Sequence, residues 1–439
     1  MPARVSRRRF LASTAAVAAA APFVKAFAPG EPKEKVRLAV VGVANRGGEN
    51  LRGVSAPEAG SEIVALCDVD PAHAEKARAQ FPDAKFYTDY RKMFDEVAGK
   101  IDAAVVSTPD HSHAYPSLLA MGLGKHVYCE KPLAHSVEEI RLMRHAATAK
   151  KLVTQMGTQI HAGDNYRRVV EIVQAGMLGP IRRVQVWLAR KPDVGKKVQP
   201  LVPVKFSTDL WLGPSPHEFF YAAHAEHGGS WPHWNWRYWW PFGGGTLADF
   251  GCHFMDLPYW ALGLAAPATV KATGTPLPGA DNTVPGTMRV DYHHPATGRG
   301  PAVHLTWYHG TPGPDDGQTK IEGFTNGGVL FEGDRGKLVA DYSKYRVLPD
   351  EFAKDFKPPT PSIPKSVGHH KEWLDAIRTG GQPLCHFGYS GVLAEAVLLG
   401  NVAYRSGRPI AWDAKAGKTD SPAADKFLKW EVRKGWELA

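Results

Sequence analysis

From Val36 to about Ala149 the chain alternates short, unbroken apolar runs with stretches whose apolar residues recur every three to four positions. VRLAVVGV (36–43), EIVALCDV (62–69), DAAVVSTP (102–109) and KHVYCEKP (125–132) are the clearest strands. Runs without a polar face suit strands buried on both sides, so the pattern predicts repeated βαβ units around a parallel sheet. LVTQMGTQ (152–159) reads as a further strand, followed by a helix near Tyr166 to Ala175.

Beyond that helix the texture changes. IRRVQVWLAR (181–190), VKATG (270–274), TMRVDYHH (287–294) and AVHLTWYHG (302–310) alternate polar with apolar and are rich in β-branched and aromatic residues. They predict a second domain built on an open, mainly antiparallel sheet. Between them runs a long aromatic and proline-rich stretch, Lys191 to Phe242, with too many tryptophans for a disordered linker. Helices are expected within SVGHHKEWLDAIRTG (366–380) and from Tyr389 to Tyr404, and the polar Asp413–Ala424 segment reads as a surface tail. The fold class is therefore α/β, with a dinucleotide-binding type domain over 29–155, a second α/β domain over 156–412 and a tail over 413–439.

The first 28 residues stand apart. SRRRFL (6–11) places paired arginines ahead of an alanine-rich apolar run, Leu11 to Val24, that is shorter than the roughly 20 residues a membrane helix needs. With Ala26 and Ala28 around Phe27 as a cleavage site, 1–28 reads as a twin-arginine export signal, and the mature protein as periplasmic with no stable membrane anchor. The leader also accounts for five of the formal +9 charges (Arg4, Arg7, Arg8, Arg9 and Lys25) and carries no acid, so the remainder bears only +4. That charge and the lack of a Lys/Arg stripe argue against a nucleic-acid partner. Cys67, Cys129, Cys252 and Cys385 are too widely spaced for a zinc motif or a disulfide framework, although export leaves one disulfide open.

Candidate chemistry clusters at strand ends. GVANRGG (42–48) follows the first strand, and a glycine-rich turn there lets backbone N–H groups approach a pyrophosphate at a helix N-terminus. Gly42, Ala44, Asn45, Arg46 and Gly47 are the candidate residues, with Ala44 where the fingerprint has its second glycine. Asp68 ends the next strand, where a carboxylate grips a ribose diol, which favours NAD over NADP. STPDHSH and EKP fall at the carboxyl ends of two further strands. In GGGTLADFGCHFMDLPYWAL (243–262), Asp249 and His253 are four apart and share a helix face; Asp256 lies on a neighbouring face and is expected as a helix-surface acid. NWRYWW (235–240) offers Trp236 and Arg237 as a platform and a hydrogen-bond donor for a sugar ring. The 19 histidines, HSH and HH among them, do not converge on a metal motif, so no metal is expected.

With its fingerprint turn, T-P-x-x-x-H and E-K-P at this spacing, the chain resembles the Gfo/Idh/MocA oxidoreductases, which include sugar and inositol dehydrogenases and glucose-fructose oxidoreductase. The resemblance implies that Lys131 lies in the active site against the substrate hydroxyl and nicotinamide, with a cis peptide bond before Pro132. It implies His253 as the base and Asp249 as its partner or a hydroxyl ligand. Thr108, Pro109, His113, Glu130 and Gln159 are implied to line the cofactor or substrate. It also implies a homodimer or homotetramer built on the second sheet.

The expected function is hydride transfer between a tightly bound NAD, or NADP, and a hydroxyl-bearing carbon of a sugar, cyclitol or glycoside. The alternative is a redox-neutral glycoside hydrolase or isomerase that oxidises a hydroxyl only transiently. A third reading, a ligand sensor without activity, is opposed by the intact Lys131, Asp249 and His253. Export in a folded state fits such a protein, because it would carry its cofactor out of the cytoplasm already bound.

Overall fold

A computed structural model describes residues 35–191, 205–217, 234–277, 282–310 and 321–438, and the backbone of two short strands at 196–198 and 221–223. The leader lies outside the described residues, as does part of the stretch between Lys191 and Trp234.

Six parallel strands form the first sheet: β1 (Val36–Val41), β2 (Ser61–Cys67), β3 (Lys85–Tyr87), β4 (Ala103–Val106), β5 (His126–Cys129) and β6 (Thr154–Met156), in the order β3-β2-β1-β4-β5-β6. Reversal of the strand order between β1 and β4 places the ligand crevice at their carboxyl ends. β1 shows why the run is apolar but for Arg37, which pairs with Asp102: Val36, Leu38 and Val40 enter one core, and Ala39 and Val41 the other.

The second sheet has nine strands and is mostly antiparallel, in the order β15-β14-β13-β7-β12-β11-β10-β16-β17. Its members are β7 (Ile181–Leu188), β10 (Thr269–Pro276), β11 (Pro285–His294), β12 (Val303–His309), β13 (Gly327–Gly333), β14 (Lys337–Ala340), β15 (Tyr345–Leu348), β16 (Ile410–Asp413) and β17 (Lys418–Thr419). Within it β7 and β12 alone pair in parallel. β8 (Lys196–Val198) and β9 (Tyr221–Ala223) form a separate antiparallel ribbon. The segment read as a surface tail, which begins at the last residue of β16, thus adds β17 to the edge of the sheet.

Two late helices tie the sheets together. His369–Thr379 returns to the first sheet, where Trp373, Leu374 and Ala376 close the core of Val36, Leu38 and Val40. Phe387–Ser406 buries 14 of its 20 residues between the two halves. Its buried Glu395 takes Arg141 and Arg144 from the first domain and the Trp412 indole N–H from β16. The four cysteines are buried free thiols. Among the described residues, no helix is long and apolar enough to cross a membrane.

Candidate functional site

β1 leads into Gly42, whose φ of +80° suits glycine and whose place against the end of β4 leaves no room for a side chain: a Cβ would lie 2.6 Å from the Ser107 carbonyl oxygen. The chain then turns through Asn45, at φ +47°, into the helix Arg46–Val54. No side chain caps that helix, so its first N–H groups keep their hydrogen-bonding capacity beside Ala44, Asn45 and Arg46, which line a cavity of about 490 Å³. Asp68, at the end of β2, lines the same cavity and accepts from the backbone N–H groups of Val43 (3.1 Å) and Asp70 (3.0 Å). Burial pushes its carboxyl upward, and these two N–H groups work against the shift.

Across the cavity the ends of β4 and β5 supply Thr108, Pro109, His113, Glu130 and Lys131. Thr108 Oγ1 is buried without a partner among the described residues, as expected of a hydroxyl that a ligand would engage. Buried Glu130 accepts from Asn50 Nδ2 (2.9 Å), Gln159 Nε2 (2.7 Å) and the Lys131 N–H (3.2 Å), so three donors fix the base of the Lys131 loop. The Lys131–Pro132 peptide is cis. His113 packs one ring nitrogen against the Pro132 carbonyl (2.6 Å) and the other against that of Thr108 (2.7 Å), spanning the two loops. Burial pushes this imidazole down to about 4, against the pull of the two carbonyls, which favour the protonated ring.

The second domain brings the helix Gly245–Phe254 to the mouth of the same cavity. Its approach depends on the glycines before it: a Cβ on Gly243 would lie 2.7 Å from the Arg237 Cα. Asp249 pairs with Lys131 Nζ, and the Arg237 guanidinium stands 3.6 Å away, so the carboxyl is held well below the usual carboxylate range despite its burial. Arg237 also lies over Trp236 (4.3 Å) and Trp234 (4.6 Å). His253 lines the cavity with its Nδ1 buried and, among the described residues, unpartnered, leaving Nε2 as the nitrogen available to a ligand. Desolvation, reinforced by Lys131, pushes the ring down to about 3 and keeps it neutral.

Of the residues singled out in the sequence, Gly42, Ala44, Asn45, Arg46, Asp68, Thr108, Pro109, His113, Glu130, Lys131, Trp236, Arg237, Asp249 and His253 line this one cavity. Gly47 and Gln159 lie behind it: Gly47 packs under the Gly42 carbonyl, and Gln159 braces Glu130 and the Tyr128 hydroxyl. The expectation that Asp249 orients His253 is corrected. Both face the cavity, but no hydrogen bond joins them, because the ammonium of Lys131 captures the carboxylate. Asp256 is likewise not a surface acid. It is fully buried, facing His161 Nδ1 at 2.9 Å and accepting from the Tyr389 hydroxyl at 2.7 Å, apart from the cavity.

Sequence reasoning missed three participants. Asp110 lines the cavity from inside STPDHSH, where the motif pattern treats its position as free. Arg190, just beyond β7, reaches the mouth over Trp234 (5.7 Å) and Phe250 (5.4 Å). Asn50, one helical turn beyond Arg46, is the buried donor to Glu130; the signal for it was a polar residue on the inward face of the first helix.

The donor set fits a dinucleotide. The uncapped helix and the turn at Gly42 would hold a pyrophosphate, Asp68 a ribose diol, and Thr108 with the Lys131 loop the nicotinamide end.

Comparison with known proteins agrees with this division. Residues 36–158 match the family model for the oxidoreductase family, NAD-binding Rossmann fold, and residues 220–328 match the GFO/IDH/MocA C-terminal domain. Among similar proteins are inositol 2-dehydrogenase 1 of Saccharopolyspora erythraea, 29% identical over 33% of this chain and 43% of that protein, and a glycosyl hydrolase family 109 protein of Solibacter usitatus, 32% identical over 34% and 36%. The chain spans less than half the length of these curated relatives. In three dimensions it is similar to the WlbA dehydrogenase from Bordetella pertussis, crystallised with NADH and UDP-GlcNAcA, with a TM-score of 0.61 and 19% identity over 87% of this chain and all of that one, a likeness of fold. Two matches in order, one on the domain that carries the Gly42 turn and one on the domain that carries the Asp249 helix, make this chain a member of the Gfo/Idh/MocA oxidoreductase family.

Proposed function

We propose that this protein is a nicotinamide-dependent oxidoreductase acting on a secondary hydroxyl of a sugar, cyclitol or glycoside. The observation that carries the reading is the convergence of Lys131, Asp249 and His253 on one cavity that runs back to the Gly42 turn and Asp68. Bound nicotinamide supplies a hydride acceptor at its ring. Lys131 donates from Nζ to the substrate oxygen, and Asp249, held ionised by its two cations, fixes the direction of that ammonium. His253 is neutral and takes the hydroxyl proton at Nε2 as the hydride leaves carbon. Trp236 and Arg237 frame the sugar ring at the mouth.

The test mixes NAD-loaded protein with a panel of sugars, cyclitols and glycosides and follows the absorbance of reduced nicotinamide in a single turnover. Lys131→Ala and His253→Ala should each abolish the signal. Unchanged reduction in both would end this assignment of roles.

A redox-neutral reaction is the second reading, favoured by the similarity to a family 109 glycosyl hydrolase across the first domain. Released aglycone with no net change in nicotinamide would select it, and accumulated keto-sugar the first. NAD is the preferred cofactor because of Asp68, and we propose a periplasmic, oligomeric protein that leaves the cytoplasm with nucleotide bound. Rapid exchange with added NAD would remove the reason for export in a folded state.

A further inference from the structure

Asp110 is 5% exposed and opens the short turn Asp110–Ser112 beyond β4. Its Oδ2 accepts a long 3.4 Å hydrogen bond from the Gly244 N–H, and no other hydrogen bond reaches its carboxyl among the described residues. The charged and titratable groups facing it come from every neighbouring element. Lys131 comes from the end of β5, Arg237 from the Asn235–Tyr238 turn and Asp249 from the helix Gly245–Phe254, with the thiols of Cys129 and Cys252 behind.

We propose that Asp110 is the proton store of the site: its carboxyl is protonated when the nicotinamide in the cavity is reduced and ionised when it is oxidised. The inference rests on the nicotinamide reading above. Oxidation of an alcohol removes a hydride from carbon and a proton from oxygen. With the hydride the nicotinamide ring loses its positive charge, and the proton passes first to His253. A proton does not rest there, since burial beside Lys131 pushes that imidazole down to about 3. Asp249 does not keep it either, being clamped by Lys131 and Arg237. Burial pushes Asp110 up to about 7, so it binds a proton in the neutral range. The balance closes: a ring cation and a carboxylate become a neutral ring and a carboxylic acid, so the net charge of the cavity does not change.

The test needs no substrate. The full-length protein freed of nucleotide is titrated with NAD⁺ and, separately, NADH in a calorimeter, at pH 7.5, in buffers of different ionisation enthalpy, which yields the protons taken up on binding. Losing a unit charge elsewhere in the cavity should raise the Asp110 affinity by on the order of one unit, so NADH should bring in roughly half a proton more than NAD⁺. Asp110→Asn keeps an oxygen for Gly244 and should abolish the difference while both nucleotides still bind. In the native protein the difference should vanish near pH 5 and above pH 10, a profile that depends on no variant. A difference that survives in Asp110→Asn, or that is absent or pH-independent in the native protein, overturns the assignment. Failure of both nucleotides to bind overturns the nicotinamide reading itself, and the Asp110 store with it.

Discussion

Glu130→Gln is the sharpest probe of how the Lys131 loop is held. Asn50 and Gln159 both donate to Oε1, at 2.9 and 2.7 Å, while the Lys131 N–H donates to Oε2 at 3.2 Å. Glutamine has nearly the same shape but only one acceptor. Its better orientation puts the amide oxygen toward Asn50 and Gln159, which leaves the NH₂ group facing the Lys131 N–H. Two charge-assisted hydrogen bonds then become neutral ones, at about 0.5–1 kcal/mol each, and one buried donor is stranded, at about 1–3 kcal/mol. Relief of the carboxylate's desolvation offsets part of this, leaving a net loss of about 2 kcal/mol. With an m-value of roughly 4 kcal/mol/M for a chain of this size, the urea midpoint followed by circular dichroism should fall by about 0.5 M. Because the displaced donor is the backbone of Lys131 itself, single-turnover nicotinamide reduction should slow at least tenfold as well. A variant with native midpoint and native rate would refute the claim that these three hydrogen bonds position the loop.

Gly42→Ala places a Cβ 2.6 Å from the Ser107 carbonyl oxygen at a positive φ, so NAD affinity measured by calorimetry should drop at least tenfold, with about 1–3 kcal/mol of stability lost. His161→Ala removes the ring that faces buried Asp256 and stacks on Trp260 at 3.9 Å; the Tyr389 hydroxyl still donates to the carboxyl, so losing the second partner should cost about 1–3 kcal/mol in urea denaturation while leaving nucleotide affinity unchanged. Acid should unfold the protein steeply. Burial pushes His111, His113, His294, His309 and His370 down to about 4 and His253 to about 3, so below their ordinary value near 6.5 the unfolded chain takes up protons that the folded one refuses, and stability falls from about pH 6.5 toward 4. Burial pushes His135, His369 and His386 down as well, while Asp68, Asp110 and Glu139 are pushed up and act in the opposite sense, so among the described residues nine imidazoles stand against three carboxyls. Potentiometric unfolding at pH 5 should therefore register a net uptake of several protons, and a net release would contradict these assignments.

The strands legible in the sequence were those whose apolar runs exceed what a surface would tolerate: β1, β2, β4 and β5 were readable to within a few residues at each end. β3 has only three residues, half-exposed or more, and β13 begins on two glycines, so neither carries a periodic signal. Motif spacing located the Lys131, Asp249 and His253 positions, because Lys131 follows the end of a strand and Asp249 and His253 stand one turn apart on one helix. It could not show that Asp249 turns to Lys131 instead of His253, since the choice is made by a residue 118 positions away. Asp110 was hidden for the same reason. An acid in a loop is ordinarily solvated, and its burial follows only once Gly244, 134 residues further on, closes over it.

The return of His369–Thr379 to the first sheet bears on the order of synthesis. Leu51 and Val54 of the first helix begin the cover over Val36, Leu38 and Val40, and Trp373, Leu374 and Ala376 complete it, so that side of β1 is fully closed only more than 300 residues later. A ribosome-bound or truncated chain ending before residue 369 presents this apolar face to chaperones and proteases. Full support for a nucleotide at the Gly42 turn, which β1 carries, then belongs to the end of translation.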